Sequence, residues 1–130
     1  MATAASFTET NHDTYTQLDI VSASDGSGTG YGRVKEGNFI EKIVLAHGTM
    51  AGGTLTVTDE MGGEQILAVT PSADGTTYPR RVVDKNDGTT ATTIWGKFFV
   101  PERFKVVLAG TGNAATATLK VVFSKNGLQG

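Results

Sequence analysis

The sequence predicts an all-β fold: a single-domain antiparallel β-sandwich, with jelly-roll-like and small-barrel strand orders left open. Apolar residues recur at every second position in short runs, and glycine-rich turns separate those runs at intervals of roughly 8–12 residues. No stretch requires a helix. Threonine is the commonest residue, and glycine, at 17 of 130, has roughly twice its usual share, a balance that favours strands and tight turns.

Residues 1–15 show no period, and Phe7 is the only large apolar group before Tyr15, so they read as an extended N-terminal arm. Leu18 and Ile20 then alternate with Gln17 and Asp19. The run Ser24-Asp25-Gly26-Ser27-Gly28-Thr29-Gly30 reads as a loop, followed by a brief strand over 31–34. Phe39 to His47 is apolar on both faces and is expected to be central. Leu55 and Val57 alternate with Thr54, Thr56 and Thr58; the turn 59–64 returns the chain along 65–70 as a hairpin. Residues 71–75 turn again. Residues 80–84 form a further candidate strand, closed by Asp87-Gly88. The run 92–100 carries Trp95, Phe98 and Phe99, the densest aromatic cluster, and is expected in the core until Pro101 ends it. Phe104, Val106 and Leu108, then Ala115, Ala117, Leu119, Val121 and Phe123, read as a long C-terminal hairpin. The domain organisation is thus an arm (1–15), a sandwich (16–124) and a flexible tail (125–130).

At 130 residues the chain holds one ordinary domain. Eleven basic against thirteen acidic residues give a net charge of −2, which lacks the basic excess of a dedicated nucleic-acid binder. Cysteine is absent, so disulfides, thiolate nucleophiles and cysteine-ligated metal centres are excluded. No apolar run exceeds four residues, against the ~20 of a membrane-spanning helix, and the start of the chain shows neither a basic leader nor an apolar core. No membrane association is expected, and the product is expected to act where it is made or to be packaged from there.

Catalytic constellations are scarce. His12 and His47 lack a partner at ligand spacing, and no G-x-S-x-G elbow occurs. Gly26-Ser27-Gly28-Thr29-Gly30 lacks the lysine and helix of a phosphate loop. Asp59, Glu60 and Glu64 share one turn, yet their spacing fits no defined calcium loop. No catalytic residue, metal or cofactor is expected, and the protein is not read as an enzyme. Arg80 and Arg81 are adjacent on a strand, so they point to opposite faces. With Tyr78 they make a candidate protein interface, because Arg and Tyr combine area with directed hydrogen bonds; a surface salt bridge is the plainer alternative. Trp95 is read as core, with a sugar-stacking platform as its alternative. Phe7 and Tyr15 are spaced anchors by which an arm becomes ordered on a partner.

The order of Thr54 to Leu67, Tyr78-Pro79-Arg80-Arg81-Val82-Val83 and Arg103 to Phe123 resembles small structural proteins of tailed bacteriophages, notably capsid decoration (cement) proteins, over about residues 18 to 124. The resemblance implies a virion protein on the capsid exterior, made in the host cytoplasm. It would bind the major capsid protein, assemble with itself as a homotrimer and stabilise the head. Other phage parts, such as a head–tail connector or a tail or fibre component, share this pattern. A non-catalytic carbohydrate-binding module is the remaining alternative.

Overall fold

The computed structural model describes residues 4–35, 38–61, 63–84 and 90–125, with backbone alone for 81–84 and 90–95. Among them run eleven strands: β1 (Ser6–Asn11), β2 (Tyr15–Val21), β3 (Gly28–Arg33), β4 (Phe39–Ala46), β5 (Thr54–Asp59), β6 (Gln65–Val69), β7 (Gly75–Thr77), β8 (Arg81–Asp84), β9 (Thr90–Gly96), β10 (Arg103–Ala109) and β11 (Thr116–Ser124). No helix occurs among the described residues. The strands form an antiparallel β-sandwich, with a five-stranded sheet in the order β1-β2-β11-β4-β7 and a four-stranded sheet in the order β3-β10-β5-β6. Strands β8 and β9 make a separate two-stranded hairpin.

The pairing is nested. Strand β2 lies beside β11, β3 beside β10, β4 beside β7, and β5 beside β6. One long ribbon of four strand pairs is folded over on itself, and the β8–β9 hairpin is inserted where the chain passes from β7 to β10. The two C-terminal runs therefore do not pair with each other as expected: β10 and β11 belong to different sheets. Both runs alternate because both face the same core, from opposite sides. Alternation identifies the dry face of a strand and is silent on which sheet holds it.

The core follows the registers. Leu18, Leu119 and Leu45 lie in one cross-strand row of the five-stranded sheet. Val57 and Val106 pair across the other sheet, as do Leu55 and Leu108. Ile20, Ile40, Ile43, Phe104 and Val121 join them in the buried cluster. Each fully buried aliphatic or aromatic side chain contributes about 1.5–3 kcal/mol by leaving water.

Those rows of the four-stranded sheet end on glycine, since Gly28 and Gly30 stand opposite Leu108 and Val106. The missing side chains are replaced from the other sheet by Phe7, which packs against the core; a Cβ on Gly30 would collide with its ring. The segment expected to be a glycine loop thus begins a strand at Gly28, and the run expected to be an arm contains β1, paired with β2 from Ser6↔Val21 to Asn11↔Thr16. In both segments the periodic signal is thin, because one contributes glycines and the other a single phenylalanine. Strand β7, which begins at Gly75, the last residue of the expected turn 71–75, is three residues long and adds only to the edge of β4. The tail 126–130 and the turn 85–88 lie outside the described residues.

Candidate protein-interaction site

The base of the β8–β9 hairpin is held by one carboxylate. The last register pair of the hairpin is Arg81↔Gly96, so Arg80 and Lys97 are the next residues on its two strands. Both bind Glu41. Arg80 Nη2 donates to Glu41 Oε2 at 2.8 Å, and Lys97 Nζ donates to Glu41 Oε1 at 3.0 Å. Lys97 Nζ also donates to Ser124 Oγ at 3.1 Å.

A local irregularity makes this possible. Along the β4–β11 ladder Val122 opposes Lys42 while Phe123 opposes Ile40, which leaves Glu41 as the extra residue of a β-bulge. A bulge re-aims a side chain and releases its backbone from the ladder. The Glu41 carbonyl accepts a hydrogen bond from Arg80 Nη1 at 3.0 Å, and the same nitrogen donates to Pro79 O at 2.8 Å. Arg80 Nε is buried and has no partner among the described residues. The Lys97 and Arg80 side chains are 5 % and 12 % exposed. Hydrogen bonding from Lys97, with its charge and that of Arg80, holds the Glu41 carboxyl below the usual glutamate range, against an opposing effect of burial.

The chain leaving the hairpin is fastened separately. Ile40 N donates to Phe98 O at 2.9 Å, Val100 N donates to Asn38 O at 2.9 Å, and Asn38 Nδ2 donates to Val100 O at 2.8 Å. Phe98 is buried, whereas Phe99 turns outward and meets Phe39 edge to face, with centroids 5.2 Å apart. Phe99 is 48 % exposed and Tyr78 is 58 % exposed. Each lies two residues from a cation gripping Glu41, so two large apolar groups flank the hairpin base. The aromatic run thus divides, with Phe98 inside and Phe99 outside; the Trp95 side chain lies outside the described residues.

The sequence-derived interface residues are not brought together. Phe7 is on β1, at the opposite edge of its sheet from β7, and faces inward over Gly30. Tyr15 stacks on His12 with centroids 4.2 Å apart, and Lys120 Nζ lies 5.8 Å from its ring. Tyr78 is on the surface. Arg80, expected to meet a partner, uses its guanidinium within the chain, and the side chain of Arg81 lies outside the described residues. Glu41, Lys97 and Phe39 carry no functional expectation from the sequence, and Phe99 is expected there in the core; Glu41 and Lys97 are nevertheless legible as charges embedded in apolar runs.

The groups weighed for chemistry have local partners. His47 Nδ1 is 2.9 Å from Met50 O, and its Nε2 is 3.7 Å from Asp74 Oδ1. Met61 N donates to Asp59 Oδ1 at 3.2 Å, and Arg103 binds Glu60 through both Nε and Nη2. Among the described residues no three His, Asp or Glu side chains are grouped to hold a metal. A shallow trough of about 290 Å³ on the outer face of the five-stranded sheet is lined by Ser6, Thr8, Asp19, Thr116 and Thr118, among others.

Comparison with family models, with curated proteins and with solved structures found no match.

Proposed function

We propose that the protein is a structural subunit of a tailed-phage virion, of the capsid decoration type, which binds the major capsid protein and its own copies on the head exterior. The observation that carries this reading is the nested strand order with a hairpin inserted at one end. The stretch β2-β11-β4-β7 of the five-stranded sheet, facing β3-β10-β5-β6, supports a jelly-roll reading of the sandwich, an architecture shared by viral capsid and lectin domains. The shared architecture is an analogy, since one fold hosts many functions. The exposed Tyr78 and Phe99 beside the hairpin supply the aromatic anchors that protein interfaces favour. Arg80 supports that surface from within, by fixing the segment that carries Tyr78.

The carbohydrate-binding alternative needs open aromatic faces. Tyr31 has Arg103 stacked 4.0 Å from its ring centroid, and one face of Tyr15 is taken by His12. With those two faces occupied, we prefer the protein-binding reading, for which the exposed Tyr78 and Phe99 are the anchors.

Co-expression with the major capsid protein encoded in the same genome, followed by gradient sedimentation and cryo-electron microscopy, tests the proposal. The expected result is many copies per head, arranged as trimers on the outer surface. Tyr78→Ser combined with Phe99→Ser should lower that occupancy while the free protein stays folded. Six or twelve copies at one vertex would instead assign the chain to the connector or tail. Failure to co-sediment with any assembled particle overturns the virion reading.

A further inference from the structure

We infer that the outer edge of β1 is a docking edge for a second copy of the chain, which adds its own β1 antiparallel about a two-fold axis at Thr8. The inference concerns the isolated chain and does not rest on the virion reading. The contact is two-fold, so it is separate from the threefold contact of the proposed trimer.

Strand β1 ends the five-stranded sheet, at the edge opposite β7. His12 N donates to Tyr15 O at 2.9 Å, and the register runs without interruption from Asn11↔Thr16 to Ser6↔Val21. Hydrogen-bonded pairs alternate along an antiparallel ladder, so Thr10, Thr8 and Ser6 bond to β2, and the amides and carbonyls of Phe7, Glu9 and Asn11 point away from it. The side chains alternate too. Ser6, Thr8 and Thr10 stand exposed on the outer face, while Phe7 turns inward over Gly30.

Native edge strands are protected against such pairing by a proline, a bulge, shortness or a charge. Strand β1 has no proline, no break in register and no charge on its outer row. Its single charge, Glu9, is committed within the subunit, because Oε2 accepts from Arg33 N at 2.6 Å. The other edges are blunted. On β3 the Arg33 amide is taken by Glu9 and the Arg33 carbonyl by Thr16 Oγ1 at 2.6 Å. Strand β7 is three residues long, and the β5–β6 ladder is broken by a register shift between Val57 and Thr58.

The strand's self-complementarity favours a second copy as the occupant. Two antiparallel registers pair most of β1 with itself while matching the outward amides and carbonyls. One sets Glu9 against Glu9 of the second copy, and like charges directly opposite are destabilising. The other sets Thr8 against Thr8 of the second copy and Ser6 against its Thr10, and hydroxyl pairs of this kind are favourable cross-strand neighbours. An isologous contact along one six-residue edge is smaller than a standard interface, so the dimer is weak and forms at high protein concentration.

Cysteine cross-linking reads the register, since the chain contains no cysteine of its own. Facing residues of a non-hydrogen-bonded pair have Cβ atoms about 4.5 Å apart, close enough for a disulfide after slight adjustment. Under mild oxidation of concentrated protein, Thr8→Cys is expected to form a covalent dimer. Ser6→Cys and Thr10→Cys should each stay monomeric, because like positions then lie about 13 Å apart along the strand. An equal mixture of those two should cross-link. The inference is overturned if Thr8→Cys links no faster than Thr56→Cys, a control on the outer face of the other sheet, or if Ser6→Cys or Thr10→Cys links to itself as fast as Thr8→Cys. Sedimentation velocity supplies a readout without cysteine. Wild type is expected to show an association step that Thr8→Lys weakens about tenfold, by setting two cations opposite each other, and that an equal mixture of Thr8→Lys and Thr8→Glu restores. A trimer that Thr8→Lys leaves untouched, with no Thr8→Cys cross-link, overturns this inference and leaves the virion reading standing.

Discussion

Arg80 reaches Glu41 twice, through Nη1 to the backbone carbonyl at 3.0 Å and through Nη2 to the carboxylate at 2.8 Å. Both contacts exist because Glu41 is the extra residue of a bulge, which frees its carbonyl and turns its side chain sideways. An arginine that the sequence presents as a surface group is thereby an internal fastener, and the surface it creates is made of its neighbours Tyr78 and Phe99. Reversing its charge would place two carboxylates together inside one subunit. Weaker assembly of an Arg80→Glu protein would therefore not by itself mark Arg80 as an interface residue.

The two cations of the Glu41 cluster should differ from their anion in what they cost to remove. Lys97→Met keeps the buried stem and leaves Glu41 with Arg80, so its loss of stability in urea unfolding should stay within about 1 kcal/mol. Glu41→Gln leaves Arg80 and Lys97 without a counter-charge. Because the Glu41 side chain is 36 % exposed, solvent screening reduces the penalty to about 1–2 kcal/mol. Combining the two changes should cost less than their sum. Additive losses would show that the pairs contribute independently.

Ser22 is a buried polar residue with a complete set of partners. Its hydroxyl donates to Gly112 O at 2.8 Å and accepts from Ala115 N at 2.9 Å, tying the end of β2 to the β10–β11 connection. Ser22→Ala removes both bonds and leaves a buried amide unsatisfied, so the expected loss is about 1–3 kcal/mol by denaturant unfolding. A loss below about 0.5 kcal/mol would mean that the connection relaxes and satisfies itself.

Much of the fold is legible in the sequence, and the reason differs by element. Strands with alternating large apolar residues, such as β5 with Leu55 and Val57 or β11 with Leu119, Val121 and Phe123, announce themselves because one face is dry. The β5–β6 hairpin is legible too, since its turn is local. Pairing between distant strands is not, because β2 with β11 and β3 with β10 depend on how the ribbon folds over. The candidate site is the least legible part. Glu41 and Lys97 are far apart in sequence, and what joins them is a bulge and a hairpin base that no local pattern encodes.

The slot between β1 and β3 gives a test of cross-sheet packing. Phe7→Ala empties a half-buried site and should cost about 2–3 kcal/mol in urea unfolding. Gly30→Ala should cost about 1–3 kcal/mol, because its methyl group would collide with the Phe7 ring. The double variant should cost no more than Phe7→Ala alone. The alanine methyl then occupies space that the ring has vacated, and alanine suits a strand interior better than glycine. Additive costs would show that Phe7 and Gly30 do not share the same volume.

Removal of residues 2–14 separates a passive leader from a working strand. An arm without fixed contacts would leave the thermal midpoint of the free protein unchanged. The observed β1 instead pairs with β2 along its whole length, its Phe7 covers Gly30, and Glu9 Oε2 accepts from Arg33 N at 2.6 Å. The deletion uncovers the edge of β2 and opens the core beside β3. It should lower the midpoint by about 5 °C or more. The uncovered β2 edge would also present unpaired backbone groups, so the shortened protein should associate or aggregate at concentrations where the full chain does not. Calorimetry and light scattering on the two proteins check both effects. An unchanged midpoint with unchanged mass would return residues 1–15 to the status of an arm, with no part in holding the sandwich closed.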